Sequence, residues 1–445
     1  MREPATVKAT VKKLGINGEG IAYLDKKITF IQGALPGEEV AIEITRNETK
    51  YKIGSLKKVI VPSSHRIKAK CRYQKDCLGC PLMILDYPSQ LENKYQLVKD
   101  TFAKYVGKAF EHTEFEPVVP AGQQLGIRNV VRLPVVNFND RLTFGIYQRE
   151  SKFLTLMSDC PMQSKRINGC LAKLEQVLNE MHLHAYDDLK KKGVRFLTVR
   201  EFDAGLQLIF VTGLDRLPDR AIEVISKFEE VKSIIVTINT TKKQDFDASR
   251  YEYRYGSHKG MMEQIFMQKK FSISSKSDFP VYRLHALRIA KTLASLIPED
   301  VAKIIELGCG IGLYSLGLDE KYEIRGIDIS KINVLDANNN ARLQNRENAV
   351  YEDGRIENLF TVLSKRNHYD LAMIHLDRFK MNEALVDSIN ASKIKYLLIE
   401  SDHVSMLAKN ISQLTNFYQL NKIIALDANP NGSGVSVVAM MTRKK

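Results

Sequence analysis

The sequence predicts a multidomain protein of three units: a small antiparallel β-barrel over residues 1–60, an α+β unit with a four-cysteine metal site over 61–275, and a doubly wound α/β unit over 276–445. Three observations carry this. The first sixty residues alternate apolar and polar side chains in short runs separated by glycine and proline. Three cysteines then fall within ten residues, with a fourth far downstream. From about Pro280 the texture changes to apolar strands alternating with helical segments, the pattern of a mostly parallel sheet covered on both faces. At 445 residues, 44% hydrophobic and 27% charged, the chain exceeds one ordinary core and suits two or three globular units.

In the first unit the alternating runs are Thr6–Val11, Lys27–Ile31 and Glu39–Ile44, and Gly15, Gly18, Gly20, Gly33, Pro36 and Gly37 stand between them. Lys12, Lys13, Lys50, Lys52, Lys57 and Lys58 decorate this barrel, so it reads as a nucleic-acid platform beside the plainer reading of a structural barrel. The formal net charge of the chain is +14. A polyanion is drawn to such a surface because each neutralised phosphate releases counterions, although an acidic membrane face satisfies the same arithmetic. No uncharged apolar run reaches the roughly 18 residues of a membrane span, and the N-terminus MREPATVKAT lacks the apolar core of a signal peptide. A cytoplasmic location is expected.

Six cysteines in so long a chain do not make a disulfide scaffold; in a reducing compartment clustered cysteines bind metal. Cys71-x5-Cys77-x2-Cys80, completed by Cys160, offers four thiolates, which suit zinc or an iron–sulfur cluster. Zinc ribbons place two C-x2-C pairs symmetrically, whereas three cysteines plus one distant partner favour iron–sulfur, a 4Fe-4S cluster in particular. Cys170 and Cys309 read as small apolar residues. A helix is predicted from about Ser89 to Val106. From about Glu116 to Thr240, strands at Val130–Val136, Leu142–Tyr147, Arg195–Glu201, Leu206–Val211 and Ser233–Val236 mix with helices at Ser164–Met181 and Arg220–Phe228.

The third unit opens with a predicted helix at Val281–Leu296. Strands follow at Val301–Leu307, Glu323–Ile327, Tyr369–Ile374, Tyr396–Ile399 and Val435–Met441. Directly after the first strand comes Glu306-Leu307-Gly308-Cys309-Gly310-Ile311-Gly312-Leu313. Glycines there let a ligand approach the backbone at the carboxyl end of a strand. Asp328 ends the next strand, placed to accept from ribose hydroxyls, and Asp353 ends another. Gly308, Gly310, Gly312, Leu313, Asp328 and Asp353 together form the S-adenosylmethionine arrangement; the dinucleotide fingerprint would continue as G-x-G-x-x-G.

At this point the chain resembles the RNA (uracil-5-)-methyltransferase family that carries a TRAM barrel and an iron–sulfur cluster and acts on ribosomal or transfer RNA. The segment Gly15-x2-Gly18-x-Gly20-Ile21-Ala22 with Ala34-Leu35-Pro36-Gly37-Glu38 looks like a TRAM domain. Tyr87-x2-Gln90-x3-Lys94 looks like the helix after the family's cluster, and Arg128-Asn129, Gly145-x-Tyr147 and Cys160-x2-Gln163 are similar to its middle domain. The resemblance implies an RNA partner (ribosomal or transfer RNA, not DNA or membrane), S-adenosylmethionine as cosubstrate, and a monomer.

In such enzymes a cysteine thiolate attacks C6 of uracil, C5 takes the methyl group and a carboxylate removes the C5 proton. Here the family's phenylalanine-glutamine-valine-asparagine falls on Phe279-Pro280-Val281-Tyr282, and its aspartate-proline-proline-arginine on His375-Leu376-Asp377-Arg378. The nucleophile motif falls on Ser401-Asp402-His403-Val404, so Asp402 stands at the cysteine. The closing motif, which supplies the base, falls on Gly434-Val435-Ser436, after Asp427-Ala428-Asn429-Pro430. A carboxylate is a poor nucleophile toward an enone-like carbon, and a serine is no base at neutral pH. The expectation is therefore a family member that binds RNA but is impaired in 5-methyluridine chemistry, with no catalytic residue assigned. An active methyltransferase with a cysteine-free route, such as attack by a base nitrogen, is the alternative, and a cluster that only staples the domains is a third reading. Asp402 and His403 pair with each other at a strand end in this reading.

Overall fold

The computed structural model describes residues 6–148, 154–157, 159–241, 251–376 and 381–445. In the first unit six strands form one sheet in which Tyr51–Val61 lies between Glu39–Asn47 and Lys27–Ile31. Period-two alternation turns Ala9, Ala22, Ile31, Val40 and Ile42 into a shared core and leaves Lys12, Lys13, Lys50, Lys57 and Lys58 outside, whereas Lys52, expected on the surface, is buried and paired with Asp25. The fully buried Glu38 receives the Arg66 guanidinium at 2.6 and 2.8 Å and the Leu35 and Ser63 amides. Burial would raise its pKa, but those four donors hold it below the usual carboxylate range. This ties the barrel to the segment that leads into the cysteines.

The middle unit has a seven-stranded sheet with Val194–Glu201 and Leu206–Thr212 near its centre. Every residue of those two strands is buried, because helices Lys165–Glu180 and Asp219–Ser226 cover one face and the chain around 260–277 packs on the other. On that second side Arg200, buried among apolar strands, donates to the carbonyls of Ser274, Ser275 and Ser277 at 2.9–3.1 Å. Satisfying three carbonyls at once is what makes a buried guanidinium tolerable.

The third unit is built on an eight-stranded sheet. Five parallel strands run in the order Ala349–Asp353, Glu323–Asp328, Lys303–Leu307, Leu371–His375, Tyr396–Ser401. Val435–Arg443 follows antiparallel, then Tyr418–Asp427, and the short strand Glu114–Phe115 closes the edge. Helix Tyr87–Tyr105, capped by Asp86 with Pro88 in its first turn, packs here through Val98 and Phe102, against a core that includes Ile305, Ile399, Leu407 and Tyr418. Segment 61–275 is thus divided: 87–119 and the hairpin Met262–Phe266/Lys269–Ile273 pack with the C-terminal unit, and the strands from Val130 to Tyr255 form the middle sheet. The predicted helix start at Ser89 moves to Tyr87 because the cap, not the apolar period, decides it. Among the described residues no helix is long and apolar enough to cross a membrane.

Candidate cofactor crevice and four-cysteine site

The glycine turn folds over the end of its neighbouring strand, with the Gly308 and Cys309 amides both donating to the Ile327 carbonyl at 2.9 and 3.1 Å. Gly310 has φ = 53°, and a Cβ there would meet nothing within 4 Å, so this glycine leaves an open face for a ligand. Gly312 has φ = 74°, but a Cβ there would sit 3.1 Å from the Tyr351 hydroxyl, so its smallness serves packing. Asp328 accepts from the Gly310 amide with one oxygen and from the Ser330 amide with the other, both at 2.8 Å. Each oxygen keeps a lone pair for a further donor. Asp353 lies opposite Asp328 in register and is exposed, while the Leu313 side chain belongs to the core.

The floor of the crevice holds a constellation that the sequence reading did not assemble. Glu306, His375 and Glu400 stand on three adjacent parallel strands, and the imidazole lies between the carboxylates, Nε2 3.0 Å from Glu306 and Nδ1 3.3 Å from Glu400. Burial alone would favour the neutral ring, but the two carboxylates outweigh it and push the pKa up to about 9. Tyr314, two residues beyond Gly312, stacks on this imidazole at 4.8 Å. Burial, then the fields of Glu400, Asp402 and Glu306, push its phenol well up. The available signal was that Glu306 and His375 lie at or next to the carboxyl ends of apolar strands.

Asp402 and Ser436, the positions of the family's nucleophile and base, are brought together. Strands Tyr396–Ser401 and Val435–Arg443 pair antiparallel with Ser401 opposite Val437, so the turn residue Asp402 meets Ser436. The Ser436 hydroxyl donates to Asp402, and His285 of helix Arg283–Ser295 stands 2.7 Å behind it through Nε2. The expected pairing of Asp402 with His403 is corrected accordingly: strand pairing presents the carboxylate to Ser436, while the His403 amide donates to Ser401 Oγ. Burial, against the pull of Asp402, drives the His285 imidazole down to about 4. Tyr282, at the family's asparagine, donates to the Gln123 carbonyl. Asp377 and Arg378 lie outside the described residues.

Tyr282 also borders a cavity of about 700 Å³ between the middle and C-terminal units, lined by Asn129, Glu201, Gln264, Arg283 and Leu287 among others. Its walls are partly apolar and its polar groups converge from both units.

Cys71, Cys77, Cys80 and Cys160 face one small cavity, with Arg128, Met157 and Met162 among the other residues of its wall. Burial raises the pKa values of Cys71, Cys77 and Cys80, Cys80 to about 12, and the sulfurs raise one another further. Such thiols stay protonated unless a cation displaces the protons. Among the described residues no three His, Cys, Asp or Glu side chains close into a chelate for a single ion. Cys170 is buried in its helix and Cys309 in the glycine turn, as small apolar residues.

The segment after Cys80 is fastened to the crevice. The Leu82 amide donates to the Asn431 carbonyl, and Gln90 receives the Asn431 amide while donating to the Leu82 and Leu85 carbonyls. Lys94 reaches Asp427 and the Asn429 carbonyl, and the Tyr87 hydroxyl donates to Asp427. All three residues of the Tyr87-x2-Gln90-x3-Lys94 motif thus grip the loop between the last two strands.

Barrel, glycine turn and sheet order define a class of protein: an oligonucleotide-binding-type barrel joined to a methyltransferase fold. Comparison with known proteins agrees. The TRAM domain family matches residues 3–57, and a methyltransferase domain family matches 298–438. An uncharacterized RNA methyltransferase of Bacillus cereus is 29% identical over 99% of this chain and 97% of its own length, and one of Lactococcus lactis is 25% identical over 98% and 90%. The crystal structure of Pyrococcus abyssi tRNA (uracil-54, C5)-methyltransferase in complex with S-adenosyl-L-homocysteine superposes with a TM-score of 0.78 at 20% identity, covering 98% of this chain and all of that one. The chain thus carries a TRAM domain and a methyltransferase domain, and its full-length relatives are named RNA methyltransferases.

Proposed function

We propose that the chain binds ribosomal or transfer RNA as a family member impaired in 5-methyluridine formation. One observation carries the reading: a carboxylate and a buried hydroxyl, hydrogen-bonded to each other, occupy the positions of the family's thiol and base. Neither supplies a soft nucleophile, and Ser436 has already committed its proton to Asp402. The test is methyl transfer from labelled S-adenosylmethionine to unmodified ribosomal and transfer RNA transcripts, with mass spectrometry of the nucleosides. No 5-methyluridine is expected, and its appearance refutes the reading.

The crevice residues fit S-adenosylmethionine, which when bound supplies an electrophilic methyl group. The open face at Gly310 admits its backbone approach, and the spare lone pairs of Asp328 suit ribose hydroxyls. Replacing Asp328 by alanine is expected to weaken binding at least tenfold in a calorimetric titration, since a charge-assisted hydrogen bond contributes roughly 1.5–3 kcal/mol. An unchanged affinity excludes this role. The four cysteines fit an iron–sulfur cluster by number, by donor softness and by facing a common cavity. Protein purified without oxygen should be brown and contain iron; colourless protein with stoichiometric zinc contradicts the cluster. We take the protein to act as a monomer, with the basic barrel and the cavity beside Tyr282 facing RNA.

A further inference from the structure

We propose that Asp402 is the proton acceptor of a methyl transfer to a hydrogen-bearing nitrogen of an RNA base. The inference rests on the reading above, RNA binding with a crevice that fits S-adenosylmethionine, and assigns chemistry to a crevice unsuited to carbon methylation.

The carboxylate is anchored from behind and open in front. Ser436 and His285 are buried, whereas Asp402 is exposed. Because the single serine proton goes to Asp402, the His285 Nε2 must be the donor to Ser436 Oγ. Its Nδ1 then lacks a proton, and it has no hydrogen-bond partner among the described residues. The chain of donors therefore runs in one direction, His285 to Ser436 to Asp402, and ends on the carboxylate. A surface aspartate needs no such backing. The arrangement makes sense where the orientation of an exposed carboxylate matters, since a fixed base avoids reorganisation during the reaction.

Location points the same way. Asp402 follows the strand Tyr396–Ser401 at the carboxyl edge of the parallel sheet, where open α/β sheets bind ligands. Tyr314, beside the glycine turn, stacks on His375, which hydrogen-bonds Glu400, two residues before Asp402. On the other side the His285 ring stacks on Tyr282 at 5.9 Å, and Tyr282 borders the cavity between the two units. Asp402 is thus linked toward the glycine turn through Glu400, His375 and Tyr314 and toward the cavity through Ser436, His285 and Tyr282.

The chemistry balances without a thiol. A nitrogen lone pair forms the new bond to the methyl carbon, and the carbon–sulfur bond of S-adenosylmethionine breaks with its electron pair going to sulfur. S-Adenosylhomocysteine is left. The alkylated nitrogen becomes strongly acidic and passes its hydrogen to Asp402, which returns it to water. A carboxylate suffices for that proton, whereas the C5 proton of uracil becomes removable only after covalent activation of the ring.

The test extends the transcript assay to variants. An N-methylated base is the expected product, formed at least a hundredfold more slowly by Asp402→Asn. That variant keeps an acceptor oxygen, so its affinities for S-adenosylhomocysteine and for the transcript should stay within twofold. Asp402→Ala should bind the same transcript about fivefold more weakly in the presence of S-adenosylhomocysteine, a readout independent of turnover. Ser436→Ala, which frees the carboxylate to rotate, should lower kcat about tenfold with KM unchanged. Equal rates for wild type and Asp402→Asn overturn the proposal while leaving the RNA-binding reading intact. Absence of any methylated nucleoside also overturns it, and 5-methyluridine overturns it together with the reading on which it rests.

Discussion

Replacing Lys94 by methionine should lower the free energy of unfolding of the C-terminal unit by about 3–5 kcal/mol, the cost of leaving one partner of a buried ion pair alone. The Lys94 side chain is 2% exposed and that of Asp427 0%, with the ammonium 2.5 Å from the carboxylate. Burial depresses the lysine pKa, and the Asp427 carboxylate opposes that shift. Remove the ammonium and the carboxylate keeps the Tyr87 hydroxyl at 2.9 Å and the Asn429 amide at 3.2 Å, two neutral donors against a full buried charge. The double variant Lys94→Met/Asp427→Leu should recover part of the loss, because two apolar groups of similar size cost little where an unpaired charge costs much. Hydrogen exchange across 427–431 separates this local loosening from unfolding of the other units, which a single melting curve would blend. A loss below about 1 kcal/mol, or no rescue in the double variant, would mean that Gln90 and the Leu82–Asn431 backbone bond hold the loop without the ion pair.

The same pair marks where sequence reading stops. Tyr87, Gln90 and Lys94 are spaced at i, i+3 and i+7, so their common helical face was legible. Their target was not, because Asp427 lies 333 residues from Lys94 and only the sheet order brings the two together. The four cysteines were legible from spacing, since three fall within one loop. Glu306, His375 and Glu400 were not, because each comes from a different strand and their adjacency depends on the order 303–307, 371–375, 396–401. Asp402 shows the same limit from the other side. Its sequence neighbour His403 looked like its partner, but an antiparallel last strand delivers Ser436 from 34 positions away. Local patterns reveal which residues share an element; pairings across a sheet depend on topology, and function here sits on such pairings.

Two buried histidines displaced in opposite directions should make stability peak near neutral pH. The folded-state pKa of His375 is raised to about 9 from an ordinary value of 6.5, so its contribution is fully present below 6.5 and is lost as pH rises toward 9. That of His285 is lowered to about 4, so the unfolded chain binds the proton first; its contribution is present above 6.5 and is lost as pH falls toward 4. At 1.36 kcal/mol per pH unit each limb amounts to roughly 3 kcal/mol. Chemical denaturation at pH 5, 6.5 and 9 measures both limbs. His375→Gln cannot carry a proton between Glu306 and Glu400, so it should be destabilised at pH 6.5 and lose most of the alkaline slope, drawing level with wild type as the pH approaches 9. His285→Gln should flatten the acid limb and leave the alkaline one unchanged. Tyrosines, lysines and cysteines that titrate above pH 9 affect all three proteins alike, so the difference between slopes, not either slope alone, is decisive. An alkaline slope in His375→Gln equal to that of wild type would show that the imidazole is neutral between its two carboxylates. One of those carboxylates would then have to carry the proton itself, since two ionised acids sharing one buried neutral ring would be costlier still.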